Sequence, residues 1–142
     1  METSEEGLKF IEKNEGLSLR VYNDRGHKAV GYGHDLISGE YYPDGITQEK
    51  AQELLKSDVS KWEKAINSYN LPLTQCQFDS LCDFTHNLGV GSLSKLLAHG
   101  LFAIPVQMIR WDHVDENGKM VESPGLLTRR RAEAEMFNKV SG

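Results

Sequence analysis

The sequence has only two cysteines and lacks any long apolar run. Cys76 and Cys82 lie six residues apart in a segment predicted to be helical, where steps of about 100° place them on different faces. They cannot pair with each other there, so we expect two small buried thiols. No stretch approaches the roughly 18 apolar residues of a spanning helix, so no membrane insertion is expected.

Clustered positive charge is also scarce. The formal net charge is −5, and the longest basic run is Arg129-Arg130-Arg131. A nucleic-acid-binding protein carries lysine and arginine over a whole face, so no nucleic-acid partner is expected. The histidines, at positions 27, 34, 86, 99 and 113, show no spacing typical of a metal site, and no metal is predicted.

The first part of the chain combines a helix signal with hairpin signals. Thr3 or Ser4 can cap a first helix, with a capping box between Thr3 and Glu6. Gly16 is a natural C-terminal stop, which places Glu15 at the end of that helix. The alternating pattern of residues 19–37 predicts short strands joined by turns.

The remainder of the chain has helical periodicity. Thr47 opens a long amphipathic helix, Pro72 breaks the chain, and Thr74 opens the next helix with a capping box. Three shorter helices are predicted, at 93–99, 105–111 and about 128–140. A polar turn is predicted at 115–118.

These patterns predict a mainly helical α+β protein with two lobes and a cleft between them. We expect one domain over residues 1–142, because a chain of this length has one core. Its parts would be a β-hairpin lobe at about 15–46, a connecting helix at 47–69, and a helical lobe. The helical lobe would combine residues 70–142 with the first helix.

Two carboxylates, Glu15 and Asp24, are candidates for acid–base chemistry. Glycoside hydrolysis requires one carboxyl group that is protonated and one that is ionised. Glu15, at a helix C-terminus, is the candidate acid, and Asp24, in a polar turn, is the candidate carboxylate. By spacing alone the alternative is stronger: a structural salt bridge for Glu15 and a turn-stabilising role for Asp24.

Three separated motifs resemble those of the phage-type lysozymes. Residues 15–24 and 30–34 follow the pattern E-G-x-x-L-x-x-Y-x-D and then V-G-Y-G-H. Residues 73–93, "LTQCQFDSLCDFTHNLGVGSL", are similar to the family segment L-x-x-x-Q-F-D-A-L-x-S-F-x-x-N-x-G. Residues 124–137, "PGLLTRRRAEAEMF", are similar to the ending G-L-x-x-R-R-x-A-E-x-x-x-F. The resemblance, to endolysins of the T4 and lambdoid kind in glycoside hydrolase family 24, spans about residues 6–138.

The resemblance implies a muramidase that cleaves the β-1,4 bond between N-acetylmuramic acid and N-acetylglucosamine in peptidoglycan for host cell lysis, without a cofactor. Glu15 falls on the family's general acid, and Asp24 falls on the aspartate that orients water. Other implied site residues are Tyr32, Asn87 and His27 for substrate, with Gly31, Gly33, His34 and Arg129 in structural roles. His34 would tie the hairpin to the connecting helix through Asp58 or another acid. Arg129 would pair with Glu15, although a solvated helix face is the alternative for its basic run.

One position, Ala29, departs from the family pattern. The residue two before the first glycine of G-x-G-H is typically a threonine whose hydroxyl helps to place the attacking water, and the turn after Asp24 is one residue shorter. The enzyme could work with Asp24, a backbone carbonyl or His27 holding the water. The chain could instead be an impaired relative that binds glycan or a protein partner. The alanine could also be an engineered, inactivating change.

Peptidoglycan is the expected partner, and a monomer is the expected state. The stretch "METSEEGLKF" lacks the positive and apolar regions of a secretory signal. The family-consistent expectation is synthesis in the host bacterial cytoplasm without a signal peptide, followed by holin-type release to the periplasmic cell wall. A lysozyme-like component of a phage tail is a further alternative, although such proteins usually carry extra domains.

Overall fold

The computed structural model describes residues 1–24, 26–116 and 118–140, and this part of the chain contains five α-helices and two small antiparallel sheets. The helices are α1 (Glu5–Glu15), α2 (Gln48–Asn67), α3 (Gln75–Leu97), α4 (Ile104–Met108) and α5 (Pro124–Phe137). The strands are β1 (Ser18–Asp24), β2 (His27–Gly31), β3 (His34–Asp35), β4 (His113–Glu116) and β5 (Lys119–Glu122). Arg25 and Asn117, in the two predicted polar turns, lie outside the described residues. The prediction of a mainly helical α+β fold is confirmed.

Helix α1 begins at Ser4, whose hydroxyl accepts the backbone N–H three residues further on at 3.0 Å. The capping box predicted between Thr3 and Glu6 is wrong. The backbone N–H of Thr3 donates to Glu63 at 2.7 Å, and its hydroxyl lies 3.1 Å from the sulfur of Cys82. Thr3 therefore attaches the N-terminus to α2 and α3, and Ser4 caps the helix.

The N-terminal sheet confirms the strands predicted between residues 19 and 37. Its order is β1-β2-β3, with β2 in the centre. In the β1–β2 register Tyr22 is opposite Ala29, and Asp24 is opposite His27. Because cross-strand partners point to the same face, this register places Asp24 beside His27 at the hairpin end.

Helix α3 begins at the predicted capping box. The hydroxyl of Thr74 accepts the N–H of Gln77 at 3.2 Å, and the Gln77 side chain accepts the N–H of Thr74 at 2.9 Å. Gly89 interrupts the helix with a φ of +87°, a conformation that favours glycine, and helical backbone then resumes. The separate helix predicted at 93–99 is therefore the second part of α3.

The C-terminal part differs from the prediction in three ways. Helix α5 begins at Pro124 rather than near Thr128, because the hydroxyl of Ser123 caps it by accepting an N–H at 3.2 Å. The region predicted only as a polar turn joins β4 and β5, which pair in antiparallel register. Helix α4 is also shorter than the predicted 105–111.

The hydrophobic core forms where the helices meet around α3. Each helix contributes a residue that is at most 4 % exposed: Ile11, Val59, Phe84, Met108 and Phe137. This packing fixes α1 and α5 against α3, and it thereby fixes the positions of Glu15 on α1 and Arg129 on α5. The division into lobes of one domain stays a prediction.

The two cysteines, Cys76 and Cys82, are free thiols. Cys82 lies in the core, and burial is the main cause that raises the pKa of its thiol to about 12. It is therefore an un-ionised, buried packing group at neutral pH.

Candidate active site

A cleft of about 560 Å³ lies between the β1–β2 hairpin and helix α3. Its walls include Asp24 and His27 from the hairpin, Trp62 from α2, and His86 and Asn87 from α3. A cleft with several convergent polar side chains is the expected setting for a binding or catalytic site.

Glu15, the last residue of α1, lies next to the cleft wall but is not among the residues that line the cleft. Its carboxylate packs so closely on the backbone of Gly33, a residue of the cleft wall, that a Cβ atom at position 33 would collide with it. On the other side, Nη1 of Arg129 donates to Oε1 of Glu15 at 2.9 Å. The carboxylate, only 15 % exposed, is thus held between a strand turn and a guanidinium.

Asp24 and His27 occupy the hairpin end, and both are exposed toward the cleft. Near them, the pKa of the Tyr22 phenol is raised by burial and then by the negative charges of Glu15, Asp24 and Asp35. The two candidate catalytic carboxylates, Glu15 and Asp24, are thus both among the charges that raise the pKa of this phenol.

A buried charged network lies behind Glu15. Arg129 donates from Nε and Nη2 to the two carboxylate oxygens of Asp83, at 3.0 and 2.9 Å. Asp83 is fully buried and also accepts from the Asn14 amide at 3.3 Å. Burial opposes the charge of Arg129, but Asp83 and then Glu15 outweigh it and raise the pKa of the guanidinium.

Asp83 and Glu133 are two buried carboxyl groups in contact. Burial, followed by the hydrogen bond to Asp83 and its charge, raises the pKa of Glu133 well above its usual value. Burial also works against ionisation of Asp83, but the hydrogen bond from Glu133 and the charge of Arg129 outweigh it and lower its pKa. Burial and the contact between the two groups therefore favour the acid form of Glu133 and the charged form of Asp83.

The network reaches the cleft again through Arg130. Its Nη2 donates to Oδ1 of Asn87 at 2.7 Å and to Oε2 of Glu133 at 2.8 Å. Its Nε lies 2.7 Å from the other oxygen of Glu133, in poor alignment for a hydrogen bond. Because its carbonyl oxygen is held in this way, Asn87 has its amide NH₂ group available to a cleft ligand.

His86 joins three elements at the cleft. Its Nδ1 accepts from the indole N–H of Trp62 at 3.1 Å, and its Nε2 lies 2.8 Å from the backbone carbonyl of Tyr32. Both contacts are satisfied by the neutral tautomer with the proton on Nε2. His86 therefore connects α3 to α2 and to the turn between β2 and β3.

His34 is buried behind the hairpin and bridges two acids. Its Nδ1 lies 2.7 Å from Asp58 on α2, and its Nε2 lies 2.8 Å from Glu40. The hydrogen bond to Asp58 raises the pKa of His34, burial lowers it, and Glu40 raises it further, so the balance is a raised pKa. The contact with Asp58 is the one expected from the sequence.

Three of the predicted catalytic and substrate-binding residues, Glu15, Tyr32 and Ala29, are not among the described residues that line the cleft. Tyr32 is only 6 % exposed and packs in the core, and its role in substrate binding stays a prediction. Ala29 is 1 % exposed and lies beneath the hairpin face. His27 shares the strand with Ala29 but extends into the cleft at the hairpin end.

Sequence reasoning missed the buried network of Asp83, Glu133 and Arg130, as well as His86. A signal was available for part of it. Asp83 lies between apolar core positions of α3, and Arg129 and Glu133 are four residues apart on one face of α5. Charged residues on a core-facing side are costly unless they are paired, which points to mutual pairing between the two helices.

Within the described ranges, no group of three or more histidine, cysteine, aspartate or glutamate side chains is arranged to hold a metal ion. In the same ranges, no helix has both the length and the apolar composition needed to cross a membrane.

Comparison with known proteins gives consistent matches across the chain. The phage lysozyme family model matches residues 12–133. The endolysin of Acyrthosiphon pisum secondary endosymbiont phage 1 is 35% identical and covers 96% of this chain and 98% of its own length. The structure of the endolysin from Escherichia coli O157:H7 phage FAHEc1 superposes with a TM-score of 0.84 at 34% identity, covering 97% of this chain and 94% of that chain. The structure of the muramidase domain of SpmX from Asticaccaulis excentricus superposes with a TM-score of 0.85 at 27% identity. The match covers 98% of this chain and 99% of that chain.

Proposed function

Because the chain belongs to the phage lysozyme family, we propose that it is a muramidase that hydrolyses the β-1,4 bond between N-acetylmuramic acid and N-acetylglucosamine in peptidoglycan. The observation that carries this function is the position of Glu15 next to the cleft wall, fixed between Gly33 and Arg129. A carboxyl group in a restrained, largely buried setting is suited to donate a proton to a glycosidic oxygen.

We propose that Glu15 is the general acid and that Asp24 is the carboxylate that orients the attacking water. Asp24 lies in the exposed hairpin end, where water can reach its carboxylate. Different environments of two carboxyl groups are the usual way in which an enzyme assigns them different roles. Asn87 supplies its amide NH₂ group to the substrate from the opposite wall.

Ala29 has no hydroxyl, so the water must be held by other groups. His27 is the cross-strand partner of Asp24, and both side chains line the cleft. We propose that Asp24 holds the water, with His27 as the second contact in the direction of the missing hydroxyl. One positioning group typically contributes about 10²- to 10⁴-fold to a rate, so the enzyme keeps activity without the threonine.

Glu15→Gln tests the acid assignment, because glutamine keeps the shape of the side chain and cannot donate the proton. We expect turnover of purified sacculi, measured as new reducing ends, to fall by about 10²- to 10⁴-fold, with an unchanged circular dichroism spectrum. Glu6→Gln, an exposed position on the same helix, is the control and should behave like the unchanged chain. Full activity in Glu15→Gln would exclude this function for Glu15.

The alternatives raised by Ala29 were a non-catalytic glycan- or partner-binding protein and an engineered inactive chain. The similar proteins are named as endolysins or as a muramidase domain, which does not favour a purely binding role. Saturable binding of muropeptides without bond cleavage would support the binding alternative instead.

We further propose that the chain acts as a monomer on peptidoglycan, without a nucleic-acid or membrane partner, and that it reaches the periplasmic wall through a holin-type pore. Expression in a Gram-negative host with and without a pore-forming holin tests the route. Lysis only with the pore supports it, and equal lysis without the pore contradicts it. Sedimentation at several concentrations tests the monomer.

A further inference from the structure

The three nitrogens of Arg129 are divided between two carboxylates. Nε and Nη2 face Asp83 at 3.0 and 2.9 Å, and Nη1 faces Glu15 at 2.9 Å. A planar guanidinium that is gripped on one edge by a bidentate partner has no freedom to rotate. The position of Nη1, and therefore of the Glu15 carboxyl group, is set by Asp83 on helix α3.

This arrangement resolves an electrostatic conflict in the proposed mechanism. A lone guanidinium 2.9 Å from Glu15 would favour the ionised carboxylate, whereas a general acid must carry a proton before it reacts. Asp83 contacts the same guanidinium and is fully buried, so its negative charge acts with little solvent screening. Arg129 can then orient Glu15 without holding it ionised.

Arg130 has partners of its own in this network, so the charge of Asp83 acts mainly on Arg129. Burial and the neighbouring Asp83 raise the pKa of Glu133, which favours its uncharged form beside Arg129. Ionised Asp83 compensates the charge of Arg129, and Arg130 is directed toward Glu133 and Asn87 instead.

We propose that Asp83 is a positioning residue for the reaction: it clamps Arg129 toward Glu15 and balances its charge, so that Glu15 stays oriented and able to carry the catalytic proton. This inference rests on the proposed function of Glu15. Asp83 does not line the cleft among the described residues, so it acts only through Arg129.

Other groups also face Glu15 and Asp83 and must be considered in any pH profile. From α5 they are Arg129 and Glu133, and from α1 the uncharged Asn14 amide. From the hairpin, Tyr22 lies near Glu15 and also responds to Asp24 and Asp35. None of these hairpin groups contacts Asp83, so replacing Asp83 leaves their charges unchanged.

The test is the pH dependence of kcat/KM on purified sacculi, for the unchanged chain and for Asp83→Asn. Asparagine keeps the size of the side chain and removes its charge, which leaves Arg129 uncompensated beside Glu15. We expect the alkaline limb of the profile to move to lower pH by about one unit, a loss of about tenfold on that limb. A profile that is merely scaled down, with unmoved limbs, would overturn the inference.

Asp79→Asn is the matched control, because Asp79 is a buried aspartate one turn earlier on α3 that binds Ser4 and Gln75 instead of Arg129. It should lower stability without moving either limb. If Asp83→Asn does not fold, Asp83→Ser removes the charge with a smaller side chain, and the same shift is expected. A shift in Asp79→Asn of equal size would also contradict the inference.

The Glu15→Gln variant separates this inference from the proposed function. If Glu15→Gln keeps full activity, the proposed acid is wrong. If Glu15→Gln is inactive and the Asp83→Asn limb does not move, the function stands and only the role of Asp83 is rejected.

Discussion

The imidazole of His34 lies 2.7 Å from the carboxylate of Asp58, and this contact joins the β-hairpin to helix α2. The other ring nitrogen faces Glu40, which in turn accepts the phenol of Tyr42 at 2.9 Å. His34 is only 5 % exposed, so its ring nitrogens bind these two acids instead of water. The hairpin that carries Asp24 is therefore tied to the rest of the molecule by a titratable group.

The stability of the protein should depend on pH through His34. The raised pKa of His34 means that its contribution is complete below the usual histidine pKa of about 6.5 and is lost as the pH rises through the raised value. The pKa of Glu40 is lowered. Burial raises this pKa, but hydrogen bonds from the backbone N–H of Ile37 and from the side chains of His34 and Tyr42 outweigh burial. Its contribution is therefore lost only when the pH falls below the usual glutamate pKa of about 4.3.

His34→Gln should lower the free energy of unfolding by about 3 kcal/mol near pH 6, because it breaks a buried pair. At pH 9 the difference should be smaller, because neutral His34 no longer has an ionic attraction to Asp58 and Glu40. Urea unfolding at the two pH values measures this, with the exposed His99→Gln as a control that should show little change. Equal losses at pH 6 and pH 9 would contradict the charge-based account.

Gly33→Ala should disturb catalysis more than stability. Gly33 has a φ of +70°, and an added Cβ would meet the carboxylate of Glu15. We expect at least about a 10²-fold loss of turnover from displacement of the acid, together with roughly 1–2 kcal/mol of backbone strain.

Gly39→Ala is the matched comparison, because Gly39 has a φ of +94° and open space around the site of its Cβ. It should show a similar loss of stability in thermal unfolding and normal hydrolysis of sacculi. If both alanine variants lose activity equally, contact with Glu15 is not the cause.

Ala29→Thr should raise the rate of hydrolysis by about ten- to a hundredfold if a hydroxyl at this position can hold the attacking water. Because Ala29 is 1 % exposed, the larger side chain should also lower stability by about 1–3 kcal/mol. Ala29→Val has the same shape without the hydroxyl and serves as the control. An equal gain in the valine variant, or no gain with threonine, would show that the hydroxyl has no role.

Glu133→Gln should be tolerated near neutral pH, because burial and Asp83 favour the acid form of Glu133, which glutamine imitates. Glu133 has a raised pKa, so the stability that its acid form provides is lost as the pH rises from about 4.5 through the raised value. The variant lacks this titration, so its free energy of unfolding relative to the unchanged chain should increase between pH 5 and pH 8. Thermal unfolding across this range measures it.

Glu133→Ala is the contrasting change, since it leaves Arg130 without its main carboxyl partner. It should cost about 3–5 kcal/mol, as expected when one member of a buried pair is removed. A Glu133→Gln variant as unstable as Glu133→Ala would contradict a protonated Glu133.

Local signals in the sequence were sufficient for much of the fold. The capping box of Thr74, the cap of Thr47 and the strand alternation around Val30 depend on neighbours within four residues, and both helices begin as predicted. The start of α5 was misplaced, because Ser123 and Pro124 give a cap that competes with the later Thr128. The β4–β5 hairpin was missed because its short strands lack a strong apolar alternation.

What the sequence determined by itself was most of the elements, their apolar faces, and the placement of one acid at a helix end and another near a turn. These follow from interactions between residues that are close in the chain. Only the tertiary structure decided that Asp83 meets Arg129 across 46 positions and that Tyr32 packs in the core. Such contacts depend on how helices pack, and no local pattern specifies which buried charge will be the partner of another.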